Sequence, residues 1–465
     1  MFVISGSPCI INFMKKNTNG KQPQKINSPY EAARLLKLQH MFTVLTAIAV
    51  VMALLISVAG ITRLTKSISS KIEANKPTGT VVPIISTENS FTTLASMHTE
   101  LLPDNPEADA MFGPLKEIPE AEVKTVEHFD VRGVYVGSGG KIDSAIDLCK
   151  KSELNTIVLD LKNEYGIPYM SKNATAKKIG YVWDNYVLKD MIDKCHANGL
   201  RIIGRIVSFN DSTAAKKFPD RAIKDESGEM VLFSSEGKRP FLSPYNRENW
   251  EYLIELAEEA ASYGIDEIQY DYVRFPVGYK NDKTPYYGAE GTFPTKAEAI
   301  NRFLQEARIR LQDKMGVPVS ADIFGTVLTS PVDARIIGQE FETLGMTGID
   351  SCCPMVYPSH YALGTRLGGR TFPFPDKEPY LIVYSVLYSC QDIYKQKGFT
   401  KVRPYIQSFT ASYIGKGNYI NYGYNEINAQ IKACKDLGIT EFILWDPSVN
   451  YPAGKYDGNM SVETD

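Results

Sequence analysis

The sequence predicts a (β/α)8 TIM barrel, and three observations predict it. Eight strand-like runs alternate with amphipathic stretches, the returns into each new strand are short and close on glycine, and the loops leaving the strands are longer. A doubly wound open sheet shares the alternation. The uneven loop lengths favour the barrel, because they place every long insertion on one rim.

The strand-like runs are 131–136, 156–161, 201–207, 267–272, 317–323, 349–356, 402–407 and 441–445. They are rich in Val, Ile, Tyr and Phe, as half- or fully buried strands are. Between them, 141–151, 184–198, 247–262, 296–314, 332–343, 381–397 and 424–435 carry apolar residues at three- and four-residue steps, which predicts helices. Six returns end in Gly199, Gly264, Gly316, Gly345, Gly398 and Gly438, where a left-handed C-cap is expected.

The 465-residue chain divides into four parts. Residues 1–40 form an N-terminal segment expected to be cytoplasmic. Residues 41–61 carry no charge over about the 20 residues that a membrane-spanning helix needs. Lys15, Lys16, Lys21, Lys25, Arg34 and Lys37 precede this span against the single acid Glu31, so the positive-inside rule sends the rest of the chain outside the cytoplasm. A cleaved signal peptide is the competing reading, with Ser57 and Ala59 as small residues at the cleavage spacing. Residues 62–128, rich in Ser, Thr, Pro and Glu, read as a flexible linker, and 129–465 as the barrel domain.

Composition excludes several functions. A formal net charge of −3 offers no basic field for a phosphate backbone, so nucleic acid is not an expected partner. Seven cysteines without regular spacing predict buried free thiols rather than a disulfide framework. Of five histidines only His360 falls on the strand-exit rim, which argues against a multi-histidine metal site; no metal and no cofactor are expected. Neither a G-x-S-x-G elbow nor a P-loop occurs.

Carboxylates at strand ends carry the functional signal. Asp160, Asp271, Asp322 and Asp446 each close a strand-like run, and Glu164 lies just beyond the first. An ionised acid at the end of a buried strand is costly unless it faces a polar cavity, so several together predict one shared site. Strand parity puts Gln269 with Asp271, Ser320 with Asp322, and Arg403 with Tyr405 and Gln407 on faces directed into the barrel. Glycoside hydrolysis needs two such carboxyl groups, one protonated to assist the leaving oxygen and one ionised to attack or to activate water. Asp271 as nucleophile or base and Asp322 as acid are the expected pair, with Asp160, Glu164 and Asp446 as rivals for the acid role. Asp160, Glu164, Arg205, Asn210, Asp211, Arg274, Tyr357, His360, Gln407, Trp445 and Asp446 are expected around the substrate, as hydroxyl partners or as flat faces for sugar rings.

Taken in order, RGVYV, IVLDLKNEYG, RIVSFND, DEIQYDYVRFP, ADIFG, CCPMVYPSHY, PYIQSFTA and FILWDPSVNY resemble a family of bacterial glycoside-hydrolase barrel domains, formerly a domain of unknown function and often membrane-anchored. The resemblance covers about residues 131–451 and implies the (β/α)8 fold and a carbohydrate substrate, here a cell-surface or environmental polysaccharide. It supplies no catalytic pair, so Asp271 and Asp322 rest on position and parity. The alternative is a non-catalytic glycan-binding or cell-envelope assembly protein on the same scaffold.

Overall fold

The computed structural model of the protein describes residues 102, 105–137, 139–180, 182–234, 237–279, 284–288 and 294–460. The expected cytoplasmic segment, the apolar span 41–61 and the linker up to residue 101 lie outside these residues. No helix among the described residues is long and apolar enough to cross a membrane.

Eight parallel strands close on themselves. They are β1 (Arg132–Gly137), β2 (Thr156–Lys162), β3 (Arg201–Val207), β4 (Glu267–Asp271), β5 (Val319–Phe324), β6 (Ser351–Met355), β7 in two pieces (Lys401–Val402 and Tyr405–Gln407) and β8 (Phe442–Trp445). Each pairs with the next in chain order, and β8 returns to β1 through Gly133 opposite Ile443. Between the pieces of β7, Pro404 has no N–H to donate. Its carbonyl still accepts from Ile443, and the Arg403 N–H donates to Cys352 O, so the closure survives the break.

Two apolar cores follow from strand alternation. Inward residues Val158, Ile203, Cys353, Tyr405 and Ile443 fill the barrel, while outward residues such as Ile157, Ile202, Ile268 and Leu444 pack under the helices. The expected strands hold to within two residues. Five of the six return glycines take positive φ; Gly345 does not, and instead lies against the Phe399 ring, which leaves no room for a side chain. The six described cysteines are free and buried, as their spacing predicts.

Three predicted helices break for local reasons. Within 184–198 only Leu188–Ala197 is helical, because Val182–Tyr186 pairs with Ile167–Tyr169 in a small sheet and Tyr186 hydrogen-bonds Asp160 O at 2.6 Å. The 332–343 stretch divides into Pro331–Ile337 and Phe341–Leu344 at left-handed Gly338. The 381–397 stretch divides into Pro379–Ser389 and Gln391–Tyr394.

The end of the expected linker is a correction. Residues 105–128 dock on the barrel domain instead of standing free of it. Helix Pro106–Phe112 is capped by Asn105 and buries Ala108 and Phe112, whose ring centroid lies 4.7 Å from that of Trp250. Arg302 grips Asp109, and His128 meets Asp350 at 2.5 Å. The polar composition that reads as tether conceals two core residues and a set of ion pairs.

No helix follows β8 among the described residues. In its place 446–460 descends the outside of the barrel. Tyr451 donates to Tyr135 O at the mouth, and Lys455 O accepts from Glu153 N at the opposite end.

Candidate active site

Arg205 organises the mouth. It leaves β3 pointing inward, and its guanidinium collects acids from three other strands. Nη1 donates to Asp160 Oδ1 at 2.6 Å; Nη2 and Nε both reach Asp271 Oδ2, at 2.5 and 3.1 Å; Asp322 Oδ2 stands 4.0 Å from Nε. Asp271 and Asp322 therefore both lie within 4.0 Å of one nitrogen, so their nearest oxygens are separated by less than twice that distance. Strand ends bring together residues that are far apart in sequence.

The acids differ in how they are held. Asp160 accepts from Arg205 and from the Tyr135 hydroxyl at 2.9 Å; burial raises its pKa, and Arg205 works against that rise. Asp271 accepts at Oδ2 from Arg205 and at Oδ1 from the N–H of Tyr272 at 2.6 Å. Tyr272 has φ +50°, a left-handed conformation that is strained for a bulky side chain and is commonly found at functional sites. Asp322 is 2% exposed, and its Oδ1 has no hydrogen-bond partner. Burial first, and then the neighbouring Asp271 carboxylate, push its pKa well above the usual carboxylate range.

Aromatic residues line the mouth beside these acids. Tyr357 stacks on Trp445 with centroids 5.4 Å apart, Phe409 meets Trp445 edge-on at 5.3 Å, and Tyr135 lies 6.4 Å from Trp445. His360 packs edge-on against Tyr357 at 4.9 Å, and burial lowers its pKa to about 4. It is a neutral ring beside the platform.

The remaining expected residues are distributed as follows. Glu164 is half-buried behind Asp160 and raises the pKa of that acid through its charge. Asn210 is buried with Oδ1 unpartnered, a free acceptor beside β3. Asp211 faces away from the cluster: it caps helix Ser212–Lys217 and pairs at 3.1 Å with the fully buried Lys162, which also donates to Val207 O. Arg274 lies between the Tyr272 and Phe324 rings, 5.0 and 4.8 Å from their centroids. Gln407 has its oxygen on the N–H of Ser359 and its amide on Asp376 at 2.8 Å, so it braces the rim. Asp446 turns back on its own chain to accept from Ser448 N.

Sequence reading missed Lys162 and the strain at Tyr272. Lys162 shares parity with Asp160, but a bulge between them turns it outward. A lysine ending an otherwise apolar strand was the available signal.

Barrel and site together define a hydrolase-like (β/α)8 domain with clustered acids at the strand ends. Residues 131–451 match the family described as "Putative glycosyl hydrolase domain", and the chain belongs to that family. Among solved structures, it is similar to a hypothetical protein from Ruminiclostridium thermocellum, with 33% identity, 41% of this chain and 96% of that one covered, and a TM-score of 0.36. It is also similar to the PgaB (BpsB) glycoside hydrolase domain from Bordetella bronchiseptica, with 13% identity, 69% and 95% covered, and a TM-score of 0.49. A third likeness is to alpha-L-fucosidase isoenzyme 2 from Paenibacillus thiaminolyticus, with 17% identity, 71% and 48% covered, and a TM-score of 0.44. No curated protein matches the chain.

Proposed function

We propose that this protein hydrolyses glycosidic bonds of a cell-surface or environmental polysaccharide by a two-carboxylate mechanism. The observation that carries the proposal is the unequal treatment of two adjacent acids: Asp271 is gripped by Arg205, while Asp322 is buried beside it with one oxygen unpartnered. That asymmetry is what acid-assisted bond cleavage requires.

In this reading Asp322 gives its proton to the glycosidic oxygen as the C1–O bond breaks. Asp271 acts as nucleophile or base at C1 from the other side. Water supplies the hydroxyl that ends on C1. With Asp271 as nucleophile, the water's remaining proton restores Asp322; with Asp271 as base, that proton goes to Asp271, which returns it to solvent while Asp322 is reprotonated from solvent. Arg205 fixes the orientation of Asp271, and Asp160 and Tyr135 fix Arg205. The Tyr357–Trp445 pair offers a face for the sugar ring.

The apolar span 41–61 would anchor the barrel outside the cytoplasm, where such a polymer is met. Digestion of intact cells by an external protease checks this: loss of the barrel supports the anchor, and protection of the barrel contradicts it.

Purified protein incubated with a glycan panel tests the activity. Hydrolysis that disappears in Asp271→Asn and Asp322→Asn supports the reading. Saturable binding without bond cleavage would favour a glycan-binding protein instead.

A further inference from the structure

The rim of the barrel is uneven in a patterned way. Only 138–141 separate β1 from the following helix, and only 325–330 separate β5 from its helix. The connections 163–187, 208–246, 272–295, 356–378 and 408–423 are all longer. In a closed sheet of eight strands β1 and β5 stand opposite one another. The two low points therefore face each other across the mouth.

Each short connection holds one glycine that is tightly packed. A side-chain carbon at Gly139 would lie 2.9 Å from the Tyr186 ring, and one at Gly325 would lie 2.5 Å from Met355 O. Beside β1, the segment after β8 turns down the outside of the barrel rather than rising. At Gly139 and at Gly325 a larger residue would displace these neighbours.

Between the low points stand two walls, each tied within itself. On the side of β2 to β4, Arg239 lies 5.7 Å from the Tyr165 ring centroid, Tyr286 N donates to Lys224 O at 2.8 Å, and Ser234 N donates to Gly278 O at 2.6 Å. On the side of β6 and β7, the Ser359 and Tyr413 hydroxyls meet at 3.0 Å, and Tyr422 donates to Asp376 O at 2.9 Å. Both walls carry solvent-facing rings: Tyr165, Tyr279 and Tyr286 on the first, Phe374 and Tyr413 on the second, each at least 40% exposed. Such rings are costly in water and well suited to the faces of sugars.

We propose that the mouth is a groove open at both ends, with the Arg205 cluster on its floor, and that the protein cuts internal bonds of an extended polysaccharide. A pocket that releases terminal sugars needs one end blocked. Among the described residues both ends stay low, and the walls flank the chain instead of capping it. This inference rests on the hydrolase reading above and adds the site of cleavage along the polymer.

The test uses dye-crosslinked amylose, xylan, galactan and glycol chitin, alongside p-nitrophenyl glycosides of glucose, xylose, galactose and N-acetylglucosamine. The expected result is release of soluble dyed fragments from at least one polymer, with the aryl monosaccharides left intact. In the matching soluble polymer, viscosity should fall before mono- or disaccharide accumulates. Cleavage of an aryl monosaccharide, or a terminal sugar as the first product, would overturn the groove and leave the hydrolase reading standing. No cleavage of any substrate, by protein whose fold is verified by circular dichroism, would overturn the hydrolase reading and the groove with it.

Discussion

Two arginines stand inside the barrel, one near each end, and each gathers three carboxyl groups. At the closed end Arg403 contacts Glu267 at 2.6 Å, Glu441 at 2.7 Å and Asp350 at 3.4 Å. At the mouth Arg205 contacts Asp160 and Asp271 and stops 4.0 Å short of Asp322. Each cluster leaves one carboxyl oxygen without a partner, Glu267 Oε2 below and Asp322 Oδ1 above. The neighbours make the difference. Burial raises the pKa of Glu267, but Arg403 opposes that rise, whereas for Asp322 the largest influence after burial, Asp271, adds to it. Lys401, Ser320, Ser351 and His128 bring further donors to the lower acids. In the proposed reading, the same motif serves stability where it is surrounded by donors and chemistry where one acid is left short of them.

Substitution separates the two roles. Asp271→Asn and Asp322→Asn should each lower glycan hydrolysis by about 10²–10⁴-fold, the usual worth of a positioned acid or base, with unfolding temperatures near that of the parent. Arg403→Met should do the opposite. Leaving three acids unpaired should cost about 3–5 kcal/mol in denaturant titration, while turnover per folded molecule stays close to the parent value. An inactive but stable Arg403 variant would break the division between the ends.

Arg205→Lys sharpens the upper half of the comparison. A lysine keeps the charge but cannot fork to Asp160 and Asp271 together, so misplacement of Asp271 should lower kcat on the order of 10²-fold with little change in KM.

Stability against pH gives a smaller effect of definite sign. Because Asp322 has a raised pKa in the folded state, the native protein holds more protons than the unfolded chain once pH passes the ordinary aspartate value. Its contribution therefore falls as pH rises toward the folded pKa. Asp322→Asn should remove that slope, which urea titrations across pH would reveal. At the other end Asp350 is held low: burial opposes this, but His128, Arg403 and Lys401 prevail. Its contribution is present above the unfolded aspartate pKa and fades as pH falls. His128 is 56% exposed, so His128→Ala should cost no more than about 1 kcal/mol near neutrality.

Much of this was legible in the sequence, for identifiable reasons. Strand alternation in EIQYD and VSAD shows which residues face inward, so the convergence of Asp271 and Asp322 followed from parity together with their position at the ends of neighbouring strands. Parity cannot register a bulge, and so it does not tell that Lys162 turns outward and draws Asp211 away from the mouth. The expected helix likewise began at 184, within strand Val182–Tyr186, where a tertiary anchor, the Tyr186 hydrogen bond to Asp160 O, prevailed over local preference. The docked segment 105–128 escaped because its two buried residues, Ala108 and Phe112, are too few to show a period.

The most direct test is a carbon-13 NMR titration of aspartate side-chain carboxyls, with the Asp322 signal identified by its loss in Asp322→Asn. This carboxyl should stay protonated at pH values where ordinary surface aspartates have ionised. An Asp322 that ionises together with those surface aspartates would contradict it.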